Sequence, residues 1–331
     1  TASYASVRRF VRRRLMESGE EADTALRVGQ MFATLVGPRH ASSQQWTSVV
    51  AADLDSVRSV AGVLYRSGDP RAIDVAGELS VATLRYLDGV QAYRVAISEA
   101  EGWLGVMPAR PVRVAVMSAL AMLHLRADEV TEAAQLAAQA QELKSDVGEP
   151  SWEPFGPERA RGEVAIRSGR PDDAIAIAEQ ALQTSVGPRG RTRLFSMLGR
   201  ALVQRGDLDA AAEAYHGELE ASLELGDDMM TTIAQANAAE LALRRGRPHD
   251  AAEHQLECLA LARALGQPVF VAYSAILAAR LQAAAHPSLV VRLVAKAMEV
   301  LAAADHALYA DDADLVAALL DGATTALSDQ E

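Results

Sequence analysis

Apolar positions recur at helical spacing along nearly the whole chain. The clearest run is Leu208, Ala211, Ala212, Tyr215, Leu219 and Leu223, one face of a helix. It sits in a stretch written twice, residues 191–266. Gly206 and Gly246 stand 40 residues apart, as do Gly226 and Gly266, and Ala211, Ala212 and Glu213 fall on Ala251, Ala252 and Glu253 at the same offset. No stretch alternates apolar and polar residues for long enough to build a sheet. A fixed period of this size predicts an all-α fold, a right-handed superhelical solenoid of antiparallel helix pairs in which each pair buries its apolar face only against its neighbours.

The connections follow from turn chemistry. Gly206 takes the left-handed conformation that ends a helix, Arg205 places a cation in the last turn, and Asp207 or Asp209 caps the next helix. Gly199 and Ala211 have almost no side chain and allow two backbones to approach, while Tyr215 fills the space beside them. These residues resemble the tetratricopeptide (TPR) repeat, whose pattern is Leu-Gly, a turn glycine, then alanine, an aromatic and alanine. Glu218 departs from it, standing where a small residue is usual, and the period exceeds the standard length of about 34 residues.

Taken in order, the chain opens on an arginine-rich amphipathic helix with Val7, Phe10, Val11 and Leu15 on one face, then a helix over 22–36 and a loop over 37–45. The basic helix reads either as a phosphate contact or as a solvated helix docked on an acidic neighbour. Further helices are expected over 46–66, 90–104, 111–126, 130–143, 159–167, 172–184, 269–284 and 289–303, with Gly68, Asp69 and Pro70 as a stop and restart. Trp103 is expected to pack on the next repeat. The Pro- and Gly-rich connector 145–160 holds Trp152 and Phe155, which either clamp a ligand or cap an edge. The tail after Ala303 is expected to form a last capping helix pair, for about seven pairs in all.

Composition narrows the function. The 331 residues carry a net charge of −12, which argues against a duplex-binding surface for the chain as a whole. Aromatic residues make up 5% of a chain that is 50% apolar, a balance that suits closely packed helices. The single cysteine, Cys258, excludes an intrachain disulfide and reads as a small core residue in a reducing compartment. No apolar run approaches membrane-spanning length and no signal peptide is seen, so a cytoplasmic location is expected. The chain starts at Thr1, which leads us to expect a fragment of a longer protein.

The residues that carry chemistry in enzymes are missing from their usual patterns. Residues 187–193, GPRGRTR, lack the Lys-Ser/Thr of a phosphate loop, and no HExxH, CxxC or GxSxG occurs. His249 and His254 are five residues apart and miss a shared helix face; Asp311, Asp312 and Asp314 lack the glycine and distal glutamate of a calcium loop and read as a helix start. No catalytic residue, cofactor or metal is therefore expected. Asn237 shares a stripe with Ile233 and Leu241 and should be partly buried, either to hold an extended peptide or to brace the neighbouring helix.

Over nearly its whole length the chain resembles the C-terminal TPR-like helical region of large actinobacterial LuxR-type regulators and STAND-class signal-transduction ATPases. The residues that carry the resemblance are VRRFVRRRLMESGEEADTALRVGQMFATL, WTSVVAADLDSVRSVAGVLYRSGDPRAIDVAGELS and, near the end, SLVVRLVAKAMEVLAAADHALYADDADL, with the family's Asn-Leu-Arg replaced by Ser56-Val57-Arg58. The resemblance implies a non-catalytic sensor or protein-interaction arm that binds an inducer, small molecule or protein, and controls an upstream ATPase domain of the same polypeptide. The alternative is a stand-alone TPR adaptor for an extended peptide. Neither nucleic acid nor membrane is an expected direct partner. The expected organisation is a helical lead-in over 1–45, the junction to upstream domains, a TPR-like array over 46–285 and a C-terminal capping repeat over 286–331. In such arrays the first helix of each pair lines the concave side. Aligned on Gly199, Ala239 and Gly162, that places Arg193, Arg200, Gln204, Asn237, Glu240, Arg244, Glu163 and Arg167 along one groove, able to hold an acidic ligand or to be neutralised by its own acids.

Overall fold

A computed structural model describes residues 17, 20–36, 44–152, 156–184, 187–266, 268–283, 285–304, 306–308 and 310–328. Among them are 15 helices and no strand. They are α1 (Glu21–Val36), α2 (Gln44–Arg66), α3 (Pro70–Gly89), α4 (Tyr93–Leu104), α5 (Pro111–Arg126), α6 (Val130–Val147), α7 (Gly156–Arg167), α8 (Pro171–Leu182), α9 (Pro188–Arg205), α10 (Leu208–Leu225), α11 (Asp228–Arg244), α12 (Pro248–Ala264), α13 (Pro268–Gln282), α14 (Pro287–Ala303) and α15 (Ala310–Ser328). Short turns fold consecutive helices back on one another, giving the antiparallel pairs that the period requires.

The boundaries are set by residues with a physical reason to be there. Pro70, Pro111, Pro171, Pro188, Pro248, Pro268 and Pro287 each begin a helix, where a missing N–H leaves no bond unmade. Asp69, Asp207 and Asp227 accept from the N–H of Arg71, Ala210 and Met230 at 2.9, 3.2 and 3.2 Å. Gly206 and Gly246 share positive φ, 90° and 69°, so the two copies of the repeat end their first helix in the same left-handed turn.

Several boundaries differ from expectation. Helix α2 starts at Gln44, inside the expected loop. Gly89 closes α3, and Gln91, at φ 56°, makes the turn, so α4 begins at Tyr93 rather than Val90. Helix α6 runs to Val147 and takes up part of the expected connector, stopping at Gly148, φ 76°. The tail forms one long helix among its described residues, not a pair: Gly322 lies inside α15 with no turn at it, and the surrounding alanines and leucines favour helix.

The chain divides into two compact units, Thr1–Val164 and Ala165–Glu331. In the first, Val57, Leu64, Leu79, Leu84 and Leu120 form a dry core that Trp103 and Trp152 pack against, and Tyr65 Oη meets Ser80 Oγ at 2.7 Å inside it. Gly77 lets α3 and α5 touch: a Cβ there would stand 1.6 Å from Val112 Cγ2. In the second unit α8 packs on α9, and each helix from α9 to α15 packs on the next. Alanines at the contact points, among them Ala201, Ala211, Ala239, Ala251 and Ala279, are fully buried.

Ion pairs tie each unit from one repeat to the next. Arg94 holds Glu129 and Arg110 holds Asp74 in the first unit; Arg191 holds Glu224, Arg205 holds Asp172 and Arg245 holds Asp209 in the second.

Candidate functional site

Charge and burial come together in the second unit, where α9, α10 and α11 meet. It depends on Gly199. A Cβ there would fall 2.3 Å from Tyr215 Cε1, so the absence of a side chain on α9 is what admits the Tyr215 ring from α10. Burial pushes the Tyr215 phenol up, and its charged surroundings are Glu218, Arg200, Arg244 and Glu240.

One turn further along α10, Glu218 is 1% exposed. Asn237 Nδ2 donates to its two carboxylate oxygens at 3.2 and 3.0 Å and approaches Ser196 Oγ at 3.4 Å. Burial pushes the Glu218 carboxyl up to about 7, against the pull of Asn237, Ser196 and Arg200. A buried carboxylate left bare would be strongly unfavourable, and these donors from two other helices make it tolerable. Above this floor, Glu240 accepts from Arg244 Nε at 3.0 Å and from Arg280 of α13. Arg200, Arg244 and Arg280 thus form a cationic strip on three first-of-pair helices, with Glu240 between two of them.

The eight residues expected to line a groove fare differently. Arg200, Glu240 and Arg244 are brought together as described. Asn237 is half-buried, and its amide is spent on Glu218 and Ser196, the bracing role rather than the peptide-holding one. Gln204 Nε2 donates to the Ile166 carbonyl at 3.0 Å and ties α9 to the end of α7. Arg193 is buried, 8% exposed, so it faces the packing and not an open surface. Arg167 is exposed at the end of α7, while Glu163 is buried in the first unit. Glu218 and Ser196 lie on different helices and meet directly and through Asn237, a pairing that only the fold reveals; the signal for Glu218 was its departure from a small residue. Arg280 stands 40 residues after Glu240, the repeat period itself.

Other candidates resolve into structure. Cys258 is buried with Sγ 3.5 Å from Ser274 Oγ, and burial raises its thiol. His254 Nδ1 meets Gln235 Oε1 at 2.7 Å, and His249 lies on the surface 3.5 Å from Glu253. Among the described residues no group of His, Cys, Asp or Glu is arranged to hold a metal, and no helix is long and apolar enough to cross a membrane. In the connector, Lys144 Nζ reaches Glu149 at 2.9 Å and Glu158 at 2.8 Å, and Trp152 packs on the first core; Phe155 lies outside the described residues. On α1, Met31 and Leu35 are about half exposed, 50% and 51%. The arginine-rich segment containing Val7 and Leu15 lies outside the described residues.

No protein-family model matches the chain, and no curated protein matches it. Solved structures do. A Rap protein complexed with competence and sporulation factor aligns over 94% of this chain and 100% of its own, with a TM-score of 0.60 and 11% identity. BtubC (BKLC) from P. vanneervenii aligns over 71% of this chain and 94% of its own, at TM-score 0.49 and 18% identity. The heterotetrameric APC/C component Cut9-Hcn1 aligns over 86% and 47%, at TM-score 0.47 and 16% identity. At these identities the likeness is one of fold. The chain has the TPR-like fold of helical repeats.

Proposed function

We propose that the chain is a non-catalytic sensor and interaction arm that takes an acidic ligand, a carboxylate-rich partner segment or inducer, on the second unit. The observation that carries this is that Arg200 and Arg244 lie beside Tyr215 while Arg244 and Arg280 converge on Glu240. On a chain of net charge −12, a local cationic strip concentrates attraction for anions, and guanidinium groups bind carboxylates in two-point fashion. The Rap protein that shares the fold was solved holding a factor, which supports a binding role.

Within that role we favour the arm of a LuxR-type regulator or STAND-class ATPase, controlling an ATPase domain of the same polypeptide, over a stand-alone adaptor. The half-exposed Met31 and Leu35, one turn apart on α1, support this reading, since such an arm is expected to carry an apolar patch over 7–35 where neighbouring domains dock. The reading frame upstream of Thr1 separates the two: a phosphate loop encoded there supports the regulator arm, and its absence supports the adaptor.

The ligand reading is tested by fluorescence anisotropy with a labelled glutamate-rich peptide at low salt. Wild type should bind, and the Arg200→Ala/Arg244→Ala double variant should bind about tenfold more weakly or worse. Unchanged affinity would move the site to the 145–160 connector or the α1 face, and no binding by wild type would remove the acidic-ligand reading.

A further inference from the structure

The two copies of the repeat are not filled alike. On α9, Leu198 and Leu202 stand one turn apart and are buried, 9% and 4% exposed. Forty residues on, at the same places in the second copy, α11 has Ala238 and Ala242. Beside these alanines the second unit has a cavity of about 180 Å³, room that the smaller side chains leave and no neighbour takes up. Ala212, Tyr215 and Leu219 of α10 and Ala238, Leu241 and Ala242 of α11 make its apolar wall. A cavity of about 150 Å³ lined in this way admits a benzene ring, so this one has space for a large apolar side chain. None of Arg200, Arg244 and Arg280 lines it, so it is separate from the arginine strip.

The polar residues around the cavity decide what such a side chain must be attached to, and most of them are already engaged. Arg245 holds Asp209, His254 Nδ1 meets Gln235 Oε1 at 2.7 Å, and His216 Nε2 lies 3.3 Å from Glu220. Arg247 and Asp250, where α11 turns into α12, differ. Both line the cavity and both are about half exposed. They stand 3.8 Å apart, too far for a hydrogen bond. Among the described residues neither side chain makes another ion pair or a hydrogen bond. The rim therefore offers one cation and one anion side by side, each with its hydrogen-bonding capacity unspent within the chain, next to an apolar wall.

We propose that this cavity binds a free α-amino acid with a large apolar side chain. The ligand's carboxylate accepts from the Arg247 guanidinium, its ammonium donates to the Asp250 carboxylate, and its side chain lies against Ala238 and Ala242. The rim pair sums to zero charge, and so does the zwitterion. An acid without the ammonium sets its charge against Asp250, and an amine without the carboxylate sets its own against Arg247, so both are disfavoured. A peptide carries at most one of the two charges at any α-carbon, which makes the free amino acid the ligand that satisfies both sides of the rim.

The test is isothermal titration of the full chain with L-leucine and L-phenylalanine, supported by thermal melts. Wild type should bind at least one of them. The analogues that keep a single charge (isocaproate and isoamylamine for leucine, hydrocinnamate and phenethylamine for phenylalanine) should bind at least about tenfold more weakly. Arg247→Gln and Asp250→Asn should each weaken the amino acid by about tenfold or more. Ala238→Leu/Ala242→Leu gives the second copy the residues of the first and should abolish binding while the melt shows a folded chain. Should that variant fail to fold, the two rim variants decide, because they change half-exposed side chains. Neither amino acid bound by wild type, a single-charge analogue bound as tightly as its amino acid, affinity unchanged in both rim variants, or binding retained in the folded leucine variant would each overturn the assignment.

Discussion

Glu218→Gln should remove a specific dependence of stability on pH. The wild-type carboxyl is buried and titrates near 7 in the folded chain against an ordinary 4.5. Between those values the folded state holds a proton that the unfolded state has released. Stability from this group is therefore fully present below 4.5 and declines as pH rises through 7. The difference between the two values corresponds to about 3 kcal/mol, an order-of-magnitude figure. Glutamine has the same shape, accepts from Asn237 Nδ2 with its carbonyl, and carries no titrating proton. Urea midpoints at pH 5 and pH 8 read the effect directly: the wild-type midpoint should fall across the window further than that of the variant, and at pH 8 the variant should be the more stable protein. Other groups raised by burial, such as Asp88 and Glu99, titrate in both proteins and cancel in the comparison. Parallel pH dependences in the two proteins would refute the reasoning.

Gly199→Ala should drive a methyl into the Tyr215 ring and cost roughly 1–3 kcal/mol, whereas Gly206→Ala, with open space around it but φ 90°, should cost about 1–2 kcal/mol from backbone strain alone. Thermal melts should show the first losing the near-ultraviolet signal of a packed tyrosine and the second keeping it. Ala211→Leu should overpack the α9–α10 contact by ~1–3 kcal/mol; an unchanged denaturation midpoint would count against the register. The purified chain should neither turn over ATP nor bind duplex DNA specifically, and magnesium-dependent hydrolysis that survives repurification would contradict the interaction-arm reading.

The helices and most of their ends were legible because each rests on a local rule. Proline opens a helix, glycine closes one, and the apolar face repeats at helical spacing, so the turns at Gly68, Gly206 and Gly246 could be placed without tertiary knowledge. Asn237 was legible to half its depth: the stripe shows that it is buried, and its partner must be seen. Glu218 marks the limit. A carboxylate at a position that usually takes a small residue announces something unusual, but its donors come from Ser196 and Asn237, 22 and 19 residues away along the chain. Arg193 is buried for a related reason. Alignment on Gly199 fixes its helix, yet six residues along a helix that turns every 3.6 residues bring the side chain to a different face. The tail, expected to be a helix pair, forms one helix among its described residues because no turn residue takes effect inside it.

The repeat-to-repeat ion pairs carry a consequence for how the chain reaches its fold. Arg191 and Glu224 are 33 residues apart in sequence, Arg94 and Glu129 are 35, Arg110 and Asp74 are 36, Arg280 and Glu240 are 40, and Arg58 and Glu99 are 41. These ties span about one repeat and no more. The loop that must close to form each is therefore of fixed size, however long the chain becomes, and its entropic cost does not accumulate. Such a chain has the low contact order of fast-folding helical proteins, and within each unit folding can start at any helix pair and spread to the next. A newly made pair has its partners as soon as one more repeat has left the ribosome, so the growing chain never waits for a distant segment in order to bury what it has already synthesised.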